Sequence, residues 1–226
     1  MKFSFLILIL FFLVSCNTVK DIDGHRYNKI QIGNQVWLKQ NLRVSRFNNG
    51  DKIGTVKPDT IDINRFESPL FQFAYKGDNK LVKTYGLLYT WYVVSDSRNV
   101  CPTGWHVPSD EEFCILENYL EPGMDSTCSI MAHRGKKIGL YLKEPGNKHW
   151  ADNIGANNQS GFTVLPAGIR YRDGEFRNYI NYGYFWTATE YDSAFVITRR
   201  LYHNSDDISR SIYHKKDALS IRCIKD

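Results

Sequence analysis

From Lys143 to Phe162 the chain reads KEPGNKHWADNIGANNQSGF, a polar stretch longer and richer in amides than a connector needs. Glu144, Asn147, Asp152, Asn153, Asn157 and Asn158 supply oxygen ligands of the kind that hard cations such as calcium prefer. Trp150 in their midst offers a stacking face for a sugar ring, as do Tyr171, Tyr182 and Tyr184 further on. The competing reading is a loop held by its own Asx turns, and it is the one the composition favours. The loop is therefore a candidate ligand-binding segment with no metal assigned. Calcium is the only cofactor it brings into question. Trp37, Trp91, Trp105 and Trp186 are read as core.

Other residues with chemical potential carry blander readings. In CPTGWHVPSDEEF (101–113), Ser109 and Glu112 have the spacing of a capping box, so Asp110, Glu111 and Glu112 belong to the start of a helix rather than to catalysis. Phe113, Leu116 and Leu120 share one face of that helix, and Glu121-Pro122-Gly123 ends it. The six histidines (25, 106, 133, 149, 203 and 214) are scattered. Gly-x-Ser-x-Gly, P-loop, His-Glu-x-x-His and dinucleotide motifs are all missing from the sequence, which reads as non-catalytic. His133-Arg134-Gly135-Lys136-Lys137 is the densest basic cluster of a chain with formal charge +5. A solvated loop accounts for it without nucleic acid.

The N-terminus places these residues outside the cytoplasm. Lys2 precedes an apolar run from Phe3 to Val14, too short to span a bilayer and typical of a secretory signal. Its end, Leu13-Val14-Ser15-Cys16, resembles the lipobox of bacterial lipoproteins. Residues 1–15 are expected to be removed, Cys16 to be lipidated, and 16–23 to form a tether before a single domain at 24–226. Asn17 after the cysteine resembles an outer-membrane sorting signal, and Asp21 and Asp23 point to the outer face. Cys101, Cys114, Cys128 and Cys223 remain, with no close pair and no histidine at zinc spacing, so they read as disulfides with three pairings open.

The elements that must position these residues are mostly short strands. YNKIQIGNQVWLKQNL (27–42) reads as a hairpin turning at Gly33-Asn34. An irregular stretch follows from Arg46 to about Asn79. YGLLYTWYVVSD (85–96) is either a buried strand or a short helix. Strands are expected around the Arg172-Asp173-Gly174 turn and over 182–190. Leu219, Ile221 and Cys223 alternate along a last strand that turns Cys223 inward.

Several ordered blocks carry a family resemblance: Ile32-Gly33-Asn34-Gln35-Val36-Trp37 with Asn41-Leu42, the 85–91 run YGLLYTW, the 101–108 run CPTGWHVP, Gly161-Phe162, Leu165-Pro166-Ala167-Gly168, the 185–190 run FWTATE, and Ile221-Arg222-Cys223. From about Asp21 onward the chain resembles the Fibrobacter succinogenes major paralogous domain family. The resemblance implies an α+β, C-type-lectin-like fold akin to that of the formylglycine-generating enzyme, with short antiparallel strands, one capped helix after Pro108 and a long-range disulfide. Cys101 and Cys223 match the paired positions. Cys114 and Cys128 then either bridge the helix to the following loop or remain inert thiols.

The resemblance brings no assigned reaction. A formylglycine-generating oxidase would need a cysteine pair on the late loop, and residues 195–221 contain none. The expected function is a non-catalytic outer-membrane lipoprotein, attached through its lipid, that recognises or adheres to glycan or to an envelope or host protein. The alternatives are a structural component of a surface assembly and a divergent enzyme of the formylglycine-generating fold.

Overall fold

The structure, a computed structural model, describes residues 17–124, 127–153 and 155–226. The leader and the lipidation site at Cys16 lie outside the described residues. The chain opens with β1 (Thr18–Lys20), antiparallel to β2 (Arg26–Ile32), which turns into β3 (Gln35–Leu38). Residues read as a tether are thus part of the first sheet. Asp21 is buried and accepts from the Tyr27 hydroxyl at 2.7 Å, a contact that ties the entry strand down. Ile32 pairs with Gln35, so Gly33-Asn34 is the two-residue turn that the sequence predicts. Gly33 has a positive φ, and a Cβ there would meet the Tyr119 ring at 2.9 Å.

The irregular stretch is shorter than expected. It gives way to β4 (Gln72–Phe73) and to α1 (Asn79–Tyr85), whose N-cap Asp78 accepts from the Lys80 amide. The aromatic run that follows is both of the things considered for it: β5 (Leu88–Thr90) leads directly into the one-turn α2 (Trp91–Val94). Next come β6 (Trp105–His106), α3 (Asp110–Leu120), β7 (His133–Arg134) and α4 (Ile138–Leu142). The capping box at Ser109 and Glu112 is present, and Glu121 is the C-cap of α3. Beyond the loop, β8 (Ile169–Arg170) and β9 (Phe176–Arg177) flank the expected turn. The chain finishes with β10 (Tyr182–Glu190), β11 (Phe195–Tyr202), β12 (Ile208–His214), β13 (Ala218–Leu219) and β14 (Ile224–Lys225).

These strands form three antiparallel sheets, ordered β1-β2-β3-β14-β6, β10-β11-β12-β7 and β4-β5-β13-β8-β9. The C-terminus joins all three. β13 lies between β5 and β8, Ser220 bridges to Phe185 on β10, and β14 lies between β3 and β6. The single alternating last strand is therefore corrected to two short strands in different sheets. Residues 217–224 are buried without alternation, because neighbours close over both faces. Cys223 sits just before β14 and is bonded to Cys101 across 122 residues, with the α-carbons 6.0 Å apart.

Trp37, Trp91, Trp105 and Trp186 are core residues, as read. Each such ring buries on the order of 150–250 Å², about 4–6 kcal/mol of transfer free energy. Charge is buried as well. Arg199, fully enclosed, binds Asp110 at 2.7 Å and also the carboxylate of Glu117. Arg210 reaches Asp110 at 2.6 Å, and Arg134 reaches Glu117 at 2.6 Å. Asp110 thus turns inward as well as starting α3. The basic cluster at 133–137 is likewise not a wholly solvated loop: β7 pairs with β12, and Arg134 is buried against Glu117. Cys114 and Cys128 are disulfide-bonded and staple α3 to the segment before β7. Among the described residues no helix is long and apolar enough to cross a membrane.

Candidate functional site

The loop at 143–162 starts from Lys143, a residue the sequence reading passed over. Its side chain is buried, and its ammonium donates to the carbonyls of Tyr202, His203 and Ser205 at 3.0, 3.3 and 2.9 Å. Burial lowers its pKa, while Asp206, Asp152 and Asp207 favour the charge. The lysine thus ties the start of the loop to the backbone at the end of β11. Trp150 lies nearby, with its ring centroid 5.5 Å from the ammonium and its indole N–H bonded to the Val164 carbonyl at 3.1 Å. At 2 % exposure it belongs to the core and presents no stacking face. Tyr184 is buried too, and only Tyr171 and Tyr182 keep partial access. Indole and phenol rings supply apolar area with a polar handle, and here the interior uses both.

The amides expected to face a ligand mostly hold the loop together. Buried Asn153 donates to the carbonyls of Glu144 and Gly146. Asn157 accepts from the Gln159 amide at 3.0 Å in an Asx turn. Asn158 exchanges two bonds with Thr163, at 2.8 and 2.9 Å. Glu144 accepts from or pairs with His149 Nδ1 at 2.7 Å. Asn147 is exposed and Asp152 half-buried. Among the described residues, only Cys114, Glu117 and Cys128 bring acidic, thiol or imidazole ligand atoms close enough to hold a metal. Those cysteines are bonded to each other, and Glu117 is held by Arg134 and Arg199.

What the loop does build is one wall of a cleft of about 380 Å³. Lys148 and His149 come from the loop, Lys39, Gln40 and Asn41 from the chain leaving β3, Thr84 from the end of α1, and Thr163 and Arg222 from behind. Arg222 holds these pieces in place. Its guanidinium is buried against the Phe162 and Phe185 rings, with its carbon 4.5 and 5.4 Å from their centroids. It donates to the carbonyls of Leu38, Lys39 and Phe162 at 3.1, 2.8 and 2.7 Å, and to the Asn41 amide oxygen. Burial lowers its pKa, and no carboxylate lies within ion-pair distance among the described residues.

Sequence reasoning placed the loop but missed Lys39, Gln40, Asn41 and Arg222. Asn41 and Arg222 stood inside the blocks that carry the family resemblance, and an arginine between Ile221 and Cys223 is itself a sign of a buried cation. A wider cleft of about 570 Å³ lies between Pro58–Thr60 and Asp173–Phe176. It is a seam between two surface turns, so close that a Cβ on Gly174 would stand 1.9 Å from the Thr60 carbonyl oxygen.

The family model described as the Fibrobacter succinogenes major domain matches residues 30–225, and so covers β3, the cleft lining except Asn28, both disulfides and β14. No curated protein and no solved structure matches the chain.

Proposed function

We propose, from the premise that the chain belongs to the Fibrobacter succinogenes major domain family, that it is a non-catalytic recognition module of the cell envelope. It is anchored by lipid at Cys16 in the outer membrane and binds glycan. The observation that carries this reading is the polar cleft lined by Lys39, Gln40, Lys148 and His149. Its volume suits one or two sugar units. Binding there is read as calcium-independent, because the Asn157 and Asn158 side-chain oxygens already accept from the Gln159 and Thr163 backbone amides. A C-type-lectin-like fold is part of the same reading. It is supported by the disulfide that joins the segment before α3 to the C-terminal strand.

The test is a binding screen of residues 17–226, which contain every described element, against bacterial and host polysaccharides with and without calcium. Saturable binding that is lost when the cleft lining is changed is the expected result. Turnover of a cysteine-containing peptide would overturn the non-catalytic reading. A second reading, a structural component of a surface assembly, is favoured by Ile115 and Tyr119, one helical turn apart on α3 and 49 % and 60 % exposed. Silence in the glycan screen together with co-purification of envelope proteins would select it.

A further inference from the structure

We infer that the cleft beside Arg222 selects an anionic sugar, one bearing a carboxylate or a sulfate. This rests on the recognition reading above and deepens it. The charged residues that line the cleft are all basic, and the Glu144 carboxylate beside it is taken up by His149. Lys39, Lys148 and Arg222 line it together with His149, and no Asp or Glu is among its lining residues. Lysines elsewhere are mostly without a carboxylate partner too, Lys215 with Glu190 being the exception among the described residues, so what marks the cleft is that two lysines and an arginine converge on it with no acid in its lining. Lys39 and Lys148 have no carboxylate within 4 Å among the described residues. No carboxylate of the described residues therefore competes with an incoming anion for either lysine.

Arg222 adds to this from below. All its bonds go to neutral oxygens, so dipoles alone compensate its charge. A buried cation with low-dielectric walls projects its field into the opening above it, where an anion gains more than it would over a solvated lysine. Arg222 is spent as a donor and acts at a distance, while Lys39 and Lys148 make the direct contacts.

The remaining lining suits the hydroxyls of a sugar. His149 Nδ1 faces the Glu144 carboxylate at 2.7 Å. In the neutral ring that bond holds the proton on Nδ1 and leaves Nε2 as an acceptor for a hydroxyl. Gln40 accepts the Asn28 amide through its oxygen at 2.8 Å, which keeps its NH₂ for donation. An acceptor, a donor amide and two ammoniums around about 380 Å³ describe a site for a polyhydroxylated anion.

The experiment is calorimetric titration of residues 17–226 with three probes: an oligogalacturonate, the same oligosaccharide as its methyl ester, and a chondroitin sulfate oligosaccharide. Binding of the uronate, the sulfated probe or both is expected, with the ester at least about tenfold weaker, roughly 1.4 kcal/mol. Lys39→Gln with Lys148→Gln should cost the acidic probe a similar factor or more. Lys136→Gln with Lys137→Gln, on exposed residues outside the cleft, should leave affinity unchanged. Equal affinity for acid and ester, or equal loss in both double variants, overturns the inference and leaves glycan recognition standing. No binding of any probe overturns it as well. The broader polysaccharide screen then decides whether glycan recognition falls with it.

Discussion

Arg222 grips the side-chain oxygen of Asn41 through both Nε and Nη2, at 3.2 and 2.7 Å, across 181 residues of sequence. Asn41 in turn donates through Nδ2 to the Tyr85 carbonyl at 2.9 Å and to the Ser220 hydroxyl. One amide therefore joins the exit of β3, the end of α1 and the C-terminal segment. The junction fixes the segment that carries Lys39 and Gln40 to the cleft.

Replacing Asn41 with alanine strips two acceptor contacts from a buried guanidinium and one donor from a buried carbonyl. The expected loss is about 3 kcal/mol, since unpaired buried charge costs more than the bond removed. Urea unfolding of the Asn41→Ala variant reads it directly. A loss below about 1 kcal/mol would show that the fork is dispensable.

Glu117 lies between Arg134 and Arg199, with no exposed surface on its side chain. Glu117→Ala leaves two buried cations short of their shared anion and should cost about 3–5 kcal/mol. Glu111, exposed on the same helix, is the control: Glu111→Ala should shift the unfolding midpoint hardly at all.

Two groups give stability opposite dependences on pH. Burial works against the charge on His106, but Asp226 at 2.6 Å and Glu112 at 2.9 Å outweigh it and raise its pKa above the ordinary value. Its contribution is complete below about pH 6.5 and is lost as pH rises through the raised value. Thermal melts should decline modestly from pH 6 to pH 8, and His106→Gln should flatten that decline. For Asp110, burial also opposes the charge, and Arg210 and Arg199 outweigh it, so the pKa is lowered. Its contribution is present above about pH 4 and disappears as pH falls through the lowered value, an acid limb that Asp110→Asn should remove.

The two disulfides should differ in worth. On the chain-entropy model, closing the 122-residue separation of Cys101–Cys223 contributes on the order of 4–5 kcal/mol, against about 3 for the 14-residue loop of Cys114–Cys128. Non-reducing peptide maps check the pairing. Denaturation of the two Cys-to-Ser double variants checks the order of the losses.

Cys16→Ser should abolish lipid attachment and leave either uncleaved precursor or a soluble species, because no other cysteine adjoins the apolar run. Mass spectrometry of the mature N-terminus decides the matter. An unmodified terminus at another position would remove the anchor from the proposal.

What the sequence determined by itself was local. The turn at Gly33-Asn34, the capping box at Ser109 and Glu112, the stop at Glu121 and the turn at Asp173-Gly174 depend on residues a few positions apart, where backbone sterics and short hydrogen bonds decide the outcome. The pairing of Cys101 with Cys223 became legible only through the ordered blocks of a family. Tertiary structure decided the rest: that Trp150 is core, that Arg134 is buried, that 217–224 serve three sheets instead of one strand, and that Lys39, Lys148 and Arg222 line one cleft. A polar or aromatic side chain reads the same in sequence whether it faces water or a partner more than a hundred residues away. Which it faces is set by desolvation and by the partners that packing supplies, and neither exists until the sheets close around the C-terminus.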